Sequence, residues 1–190
     1  LSNCKISSQL TLWLNSTRSI TVPNENKFDI PANGAITISC WMNLTGFTSS
    51  NQPLIAKGTD TWILRRDGTN NRATFADRLQ DGNTYYIQNP TRTIQNSQWH
   101  YVCASYNSFD DAMSLYIDGT IDGTRNDLNT TSQPNQNSTS VIFGPLIGRL
   151  DEVRISNVYR SQEWIYTEYL NQNNPEAFYT VSNSEDACNA

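Results

Sequence analysis

The sequence is poor in charge and contains a single histidine. Charged residues make up 16% of its 190 residues, the net charge is −5, and no basic run is longer than two residues. Nucleic-acid binding therefore has no electrostatic support. The four cysteines show no C-x-x-C spacing, and with only one histidine beside them they argue against a structural zinc site.

Long apolar stretches and hydrolase motifs are also missing. No stretch approaches the roughly 18 apolar residues of a membrane span, and "LSNCKISSQL" has no apolar segment, so we expect any signal peptide to have been removed or to lie outside this sequence. The motifs G-x-S-x-G and H-E-x-x-H do not occur. His100 lacks a nucleophile, because Cys103, three residues on, lies on the opposite strand face. We interpret His100 as a structural edge residue.

What the sequence does contain is polar turns and alternating strands, which favours an all-β sandwich. The stretch "ITISCWM" (36–42) places Ile36, Ile38, Cys40 and Met42 on one face and the residues between them on the other. Turn signals such as Asp118–Gly119 recur every 8–15 residues. We expect residues 1–190 to form one domain of two antiparallel sheets.

Two segments depart from the strand pattern. The stretch "RSQEWIYTEYL" (160–170) predicts a short helix near the C-terminus, with Ser161 as its N-cap and with Ile165 and Tyr169 on one face. The polar stretch 126–140 predicts a long surface loop. Of the tryptophans, Trp13, Trp41 and Trp99 are assigned to core or sheet packing, and Trp164 to docking of the helix.

The cysteines and the sequons are compatible with an extracellular protein. Cys4 and Cys188 lie near the two ends of the chain, which sandwich folds often bring together, so a disulfide between them is favoured. A Cys40–Cys103 bridge is the alternative to two cysteines that act as small apolar residues. Four N-x-S/T sequons agree with secretion but do not establish it; they begin at Asn15, Asn43, Asn129 and Asn137.

The order of several motifs resembles laminin-G-like jelly rolls of the concanavalin A-like lectin/glucanase superfamily. These are "NSTRSITVP", "ITISCWMN", "LIAKG", "WHYVCASY", "LYIDGT" and "GRLDEVRISNVYRSQEW", and the resemblance covers roughly residues 12–170. The resemblance implies a jelly-roll sandwich of a concave and a convex sheet, followed by a short helix. The E-x-D-x-x-E strand of the catalytic glucanases does not occur.

The resemblance also implies a structural calcium ion. A terminal-strand aspartate of the family corresponds to Asp151, and the family's "FDG" corresponds to residues 14–16, so Asn15 stands where the family often has aspartate. Strict alternation places Asp151 with Val153 and Ile155, opposite Glu152 and Arg154. An Asp151–Glu152 catalytic pair is therefore rejected, and Asp151 either binds calcium or accepts backbone or Trp N–H bonds.

The middle of the chain carries the candidate ligand-binding residues. Sugars stack on aromatic rings and use amide, carboxylate and guanidinium groups for their hydroxyls. Trp62 could instead be core, and Arg65 and Arg66 could be solvated edge charges. Tyr85 and Tyr86 must point in opposite directions. The candidates are Trp62, Arg65, Arg66, Asp67, Asn70, Asn71, Arg78, Asp81, Tyr85 and Tyr86.

These observations predict a non-catalytic recognition or adhesion module of a larger secreted or surface protein, with a glycan as its ligand. The alternative is a structural or protein-interaction module of a surface assembly. A diverged glycoside hydrolase or polysaccharide lyase is the third hypothesis. It would need two acids, or a tyrosine with an arginine or histidine, that converge in a cleft, and Asp67, Asp77 and Asp81 are the only acids of the middle region that could contribute.

Overall fold

The computed structural model describes residues 12–23, 26–128 and 132–178 and confirms the predicted jelly-roll sandwich. Twelve strands form two antiparallel sheets, and two helices follow the last strand. The strands are β1 (Leu12–Leu14), β2 (Ile20–Val22), β3 (Ala35–Gly46), β4 (Pro53–Lys57), β5 (Ile63–Arg66), β6 (Ala73–Arg78), β7 (Thr84–Tyr86), β8 (Trp99–Asn107), β9 (Ala112–Ile117), β10 (Thr120–Arg125), β11 (Val141–Phe143) and β12 (Ile147–Ser156). The α-helices are α1 (Gln162–Asn173) and α2 (Pro175–Phe178), and a short 3-10 helix spans Asn26–Phe28.

The core lies between the two sheets. Sheet A has the strand order β1-β12-β3-β8-β9-β10, and sheet B has the order β2-β11-β4-β5-β6-β7. The alternating apolar side chains predicted for "ITISCWM" face this core, together with Leu64 and Phe75 from sheet B. The predicted surface loop connects β10 to β11.

The other face of sheet A is also buried, because α1 packs against it. Trp41, Tyr101 and Cys103 form a second apolar cluster there with Ile165 and Tyr169 of the helix. The rings of Trp41 and Tyr101 meet edge to face, with centroids 5.6 Å apart. This cover explains why β3 is buried along almost its whole length, on both faces.

The predicted helix start is confirmed, because Ser161 is the N-cap and its hydroxyl accepts the backbone N–H of Trp164 at 3.3 Å.

Two tryptophan assignments are wrong. Trp164 is 38% exposed, since Ile165 docks the helix instead, and Trp13 is 60% exposed beneath the guanidinium of Arg149. None of the helices in the described residues is long and apolar enough to cross a lipid bilayer.

A bulge in β12 makes strict alternation fail at Asp151. Asp151 pairs with Trp41 and Arg154 pairs with Ser39, so two residues of β12 lie opposite one residue of β3. Glu152 adopts a φ of 49° within the bulge. Asp151 therefore lies on the same face of sheet A as Arg154, and the prediction that it shares a face with Val153 and Ile155 is wrong.

The Cys40–Cys103 disulfide is also contradicted. Cys40 pairs with Val102, and Cys103 pairs with Ser39. The two side chains therefore point to opposite faces of sheet A, and both cysteines are free and buried. The predicted bridge between Cys4 and Cys188 lies outside the described residues.

The predicted Asp118–Gly119 turn joins β9 to β10 and supports α1. Both residues have positive φ, 54° and 72°, as a two-residue hairpin turn of type I′ requires. A methyl group on Gly119 would lie 2.8 Å from Tyr169 and 3.0 Å from Tyr166. The turn therefore needs glycine both for its backbone and for close approach of the helix.

We expect the substitution Gly119→Ala to destabilise the protein by roughly 2–3 kcal/mol, because it adds a steric clash to the strain of positive φ. Gly68→Ala is the matched control, since Gly68 has a φ of 54° and open space around it. Urea unfolding of the two variants separates the contribution of the steric clash from that of the backbone strain. Equal losses of stability would show that the helix does not press on this turn.

Candidate functional site

The ten predicted ligand-binding side chains do not form one cluster. The structure separates them into the core, the turn between β5 and β6, the outer face of sheet B, and the turn between β6 and β7. Among these four groups of predicted residues, only the one on the outer face combines an exposed aromatic ring with cationic side chains on a sheet surface. The groups are Trp62 in the core; Arg66, Asp67, Asn70 and Asn71 at the first turn; Arg65, Arg78 and Tyr86 on the outer face; and Asp81 and Tyr85 at the second turn.

The prediction that Trp62 stacks on a ligand is wrong. Its side chain is fully buried between the sheets. Its indole N–H donates a hydrogen bond to the carbonyl of Phe28 at 2.7 Å. A ring that stacks on a sugar must reach solvent, so Trp62 leaves the set of candidates.

The group at the β5–β6 turn mainly holds the turn together. The guanidinium of Arg66 donates to backbone carbonyls, among them that of Asn70 at 2.7 Å. The Asn70 amide donates to the Asp67 carboxylate at 2.9 Å, and the Asn71 carbonyl accepts the N–H of Ile94 at 2.8 Å. Most of these polar groups are therefore already engaged within the protein.

The outer face of sheet B carries a row of small and apolar side chains. Core residues and outer residues alternate along each strand, so the partners of one register line share the outer face. Two of them, Ala56 and Ala76, are only 4% and 1% exposed because larger neighbours rise on either side. The row consists of Ile142, Ala56, Ile63, Ala76 and Tyr86, each paired with the next.

Two arginines flank this row. Arg65 follows Ile63 by two residues and Arg78 follows Ala76 by two, and because β5 and β6 are antiparallel they lie on opposite sides of the row. The Arg65 guanidinium lies 5.5 Å from the ring centroid of Tyr86. Its Nε is buried and has no hydrogen-bond partner, and burial lowers the pKa of Arg65.

A third arginine comes from the other sheet. Arg125 of β10 lies 5.1 Å from the ring of Tyr85 and 6.0 Å from that of Tyr86, and its Nη1 donates to the Tyr86 carbonyl at 3.0 Å. Tyr85 packs on the core and donates its hydroxyl to Asp81 at 3.0 Å, whereas Tyr86 is 38% exposed. The predicted opposition of the two tyrosines is confirmed. We define Arg65, Arg78, Arg125 and Tyr86 as the Tyr86 face.

The Tyr86 face contains residues that the sequence pattern missed. Arg125 is far from the middle region in the chain, and only the packing of sheet edges brings it to Tyr86. Ala56 and Ala76 of the neighbouring apolar row have no functional group, so nothing in the sequence marked them as part of this surface. A pairing of β5 with β6 and β7, which the turn signals indicated, could have placed Arg65 and Arg78 beside Tyr86.

The acids that a hydrolase would need lie apart. Asp67 lies in the turn between β5 and β6, and Asp81 lies in the turn between β6 and β7 at the other end of β6. Asp77 is fully buried on the core side of β6. Glu152, beside Asp151, is ion-paired with Arg154 at 2.6 Å. None of these acids meets another across the Tyr86 face.

Asn15 and Asp151 do not fit a shared calcium ion. β1 ends at Leu14, which pairs with Gly148, three residues before Asp151. Strand spacing therefore separates Asn15 from Asp151 by about 10 Å or more. The Asn15 side-chain oxygen already accepts three hydrogen bonds within its own turn. Within the part of the chain that the structure describes, no group of three or more acids, histidines and cysteines could hold a metal.

Sequence and structure comparisons place this sandwich among known folds. Residues 14–166 match the family described as the concanavalin A-like lectin/glucanases superfamily. No curated protein sequence matches the chain.

The similar solved structures include two toxin binding domains and one enzyme-associated domain. The binding domain of Paraclostridial Mosquitocidal Protein 1 is 15% identical with a TM-score of 0.68, over 82% of this chain and 42% of that one. The botulinum neurotoxin serotype G binding domain is 12% identical with a TM-score of 0.66, over 85% and 42%. Domain 4 of an extracellular arabinanase from Geobacillus stearothermophilus, solved with arabinotriose, is 18% identical with a TM-score of 0.61, over 81% and 73%. The chain thus spans about two fifths of the toxin binding domains.

Proposed function

This chain belongs to the concanavalin A-like lectin/glucanases superfamily, and on that premise we propose that it is a non-catalytic carbohydrate-recognition module. The observation that carries this proposal is the Tyr86 face, where an exposed ring stands at one end of an apolar row between arginines. The similarity to an arabinanase domain solved with arabinotriose supports it. The separation of Asp67, Asp77 and Asp81 supports a role in binding over glycoside hydrolysis by these acids.

The side chains of the Tyr86 face suit both the apolar C–H groups and the polar oxygens of a sugar ring. The Tyr86 ring, which is 38% exposed, offers an apolar surface to sugar C–H groups. The guanidinium of Arg78, whose side chain is 40% exposed, supplies donors for hydroxyl or carboxylate oxygens. Arg78 is held only loosely, 3.9 Å from Asp60.

We expect Tyr86→Ala to weaken glycan binding roughly tenfold, because it removes the stacking surface, and Tyr86→Phe to retain most of it. A glycan array that includes arabinotriose identifies ligands, and isothermal titration calorimetry of the best one gives the affinities of both variants.

Phe109→Ala is the control, since Phe109 is 73% exposed in the turn between β8 and β9. An array without any bound glycan, or an equal loss of binding in the Phe109 variant, would contradict carbohydrate recognition at this face.

We also propose that the module lies outside the cell or on its surface, as part of a larger protein. The sequons at Asn15 and Asn137 support this, because both are at least partly accessible, whereas Asn43 is buried and donates to the Ser97 carbonyl at 3.1 Å. The sequon at Asn129 lies outside the described residues.

A protein-interaction module is the second candidate. Tyr166 and Leu170, one turn apart on α1, are 48% and 37% exposed, and Phe178 of α2 is 44% exposed. A partner that covers more than about 1,000 Å² in total at these residues would favour this function.

A further inference from the structure

A groove lies between α1 and β12, on the side of the sandwich away from the Tyr86 face. It has a volume of about 520 Å³, within the range of small-ligand sites. Trp164, Thr167 and Asn171 line one wall, because residues spaced by three and four share a helix face. Glu152 and Arg154 of β12 line the other wall.

The floor of this groove is fixed by a polar network that runs from the half-exposed Arg154 to the buried Tyr101. The guanidinium of Arg154 spans the two walls, pairing with Glu152 at 2.6 Å on the strand and with Glu168 on the helix. Glu168 also accepts hydrogen bonds from the Tyr101 hydroxyl and from the Gln172 amide at 3.3 Å. The floor is therefore rigid, and its own polar groups are used by the protein.

Several groups on the walls remain available to a ligand. Glu152 uses one carboxylate oxygen for Arg154, which leaves the other to accept a hydrogen bond. The Thr167 hydroxyl and the Asn171 amide have no hydrogen-bond partner among the described residues. The Trp164 indole is 38% exposed, and Arg160 lies 4.3 Å from its centroid, which holds the ring in place.

We propose that this groove is a second carbohydrate site, selective for neutral sugars. The indole offers an apolar surface for sugar C–H groups, and the Asn171 amide and Glu152 carboxylate supply a donor and acceptors to neighbouring hydroxyls. Arg154 is already paired with both Glu152 and Glu168, whereas Glu152 keeps one free carboxylate oxygen that accepts a hydroxyl group and repels a carboxylate. Arg160, the other cation nearby, packs on the Trp164 ring and does not line the groove, so anionic ligands are disfavoured. This site does not depend on the Tyr86 face, which lies on the other sheet.

Nuclear magnetic resonance titration tests this proposal directly. The probes are neutral methyl glycosides of glucose, galactose, mannose and N-acetylglucosamine, together with arabinotriose, at millimolar concentrations. We expect at least one probe to shift the Trp164 indole N–H and the Asn171 side-chain amide signals in a saturable manner. Methyl glucuronide, the anionic counterpart of the glucose probe, is expected to bind more weakly.

The variants Trp164→Ala and Asn171→Ala are each expected to weaken this binding roughly tenfold. Both side chains lie at the surface, so thermal unfolding should show intact folds. Tyr166→Ala is the matched control, because Tyr166 lies on the same helix outside the groove.

Tyr86→Ala separates this site from the proposed function, since it should leave the Trp164 shift unchanged. The proposal is overturned if no neutral probe gives a saturable shift. It is also overturned if the shifts persist in both groove variants or disappear with Tyr86→Ala.

Discussion

The substitution Asp77→Asn is expected to stabilise the protein increasingly as the pH rises from about 4 to about 8. Asp77 is fully buried, and neither carboxyl oxygen receives a hydrogen bond of normal geometry. Burial raises the pKa of Asp77 from 3.8 to about 8, and the backbone N–H of Arg78 offsets only part of that rise. The carboxyl group is therefore protonated in the folded protein at neutral pH.

The direction of the effect follows from proton binding. Between pH 3.8 and about 8 the folded state keeps the proton of Asp77 while the unfolded state releases it. The contribution of Asp77 to stability is therefore fully present below pH 3.8 and is lost as the pH rises to about 8. Asparagine has the same shape and no proton to lose, so at pH 8 the variant should be more stable by roughly 3–5 kcal/mol.

Urea unfolding of the wild type and of Asp77→Asn across this pH range measures the effect. The difference between their free energies of unfolding should be small at pH 4 and grow steadily to pH 8. Glu176→Gln makes the same chemical change at an exposed site of α2 and should show no such trend. A difference for Asp77→Asn that stays constant with pH would mean that the carboxyl group is ionised inside the protein.

The substitution Lys57→Met is expected to cost roughly 3–5 kcal/mol of stability, because it leaves a carboxylate without its buried partner. Lys57 is fully buried, and its ammonium lies 3.2 Å from the Asp29 carboxylate. It also donates to the carbonyls of Asn137 and Thr139 at 2.9 and 3.0 Å. One side chain thus attaches the β10–β11 loop to the end of the sandwich.

A double-mutant cycle with Asp29→Asn isolates the ion pair. The double variant should lose less than the sum of the two single variants, because the second substitution removes the unpaired carboxylate. Thermal unfolding of all four proteins gives the coupling. Strict additivity would show that the loop carbonyls, and not Asp29, account for the role of Lys57.

The sandwich could be predicted from alternation and turn residues, because these are local properties. The Asp118–Gly119 hairpin and the faces of residues 36–42 followed directly. The orientation of Asp151 could not be predicted, since it depends on a bulge that an alternating pattern does not reveal. The separation of Cys40 and Cys103 depends on the register between β3 and β8, which sequence pattern alone does not fix.

Only part of the candidate site could be predicted from the sequence, for a related reason. Strand geometry alone predicts that Tyr85 and Tyr86 point to opposite faces, and the structure confirms this prediction. Whether Trp62 is core or surface depends on which face meets the other sheet, and Trp164 is exposed because Ile165 occupies the helix interface. Arg125 lies at the edge of sheet A and contacts Tyr86 at the edge of sheet B. Such contacts arise between elements that are distant in sequence.

The short strands at the sheet margins bear on how this protein behaves at high concentration. β1, β2 and β7, three of the four edge strands, have only three residues each. The fourth, β10, is interrupted by a register shift between Ile121 and Gly123. Few backbone N–H and C=O groups are therefore aligned for a neighbouring molecule to extend either sheet. The architecture thus resists fibril-like self-association, even though most of its secondary structure is strand.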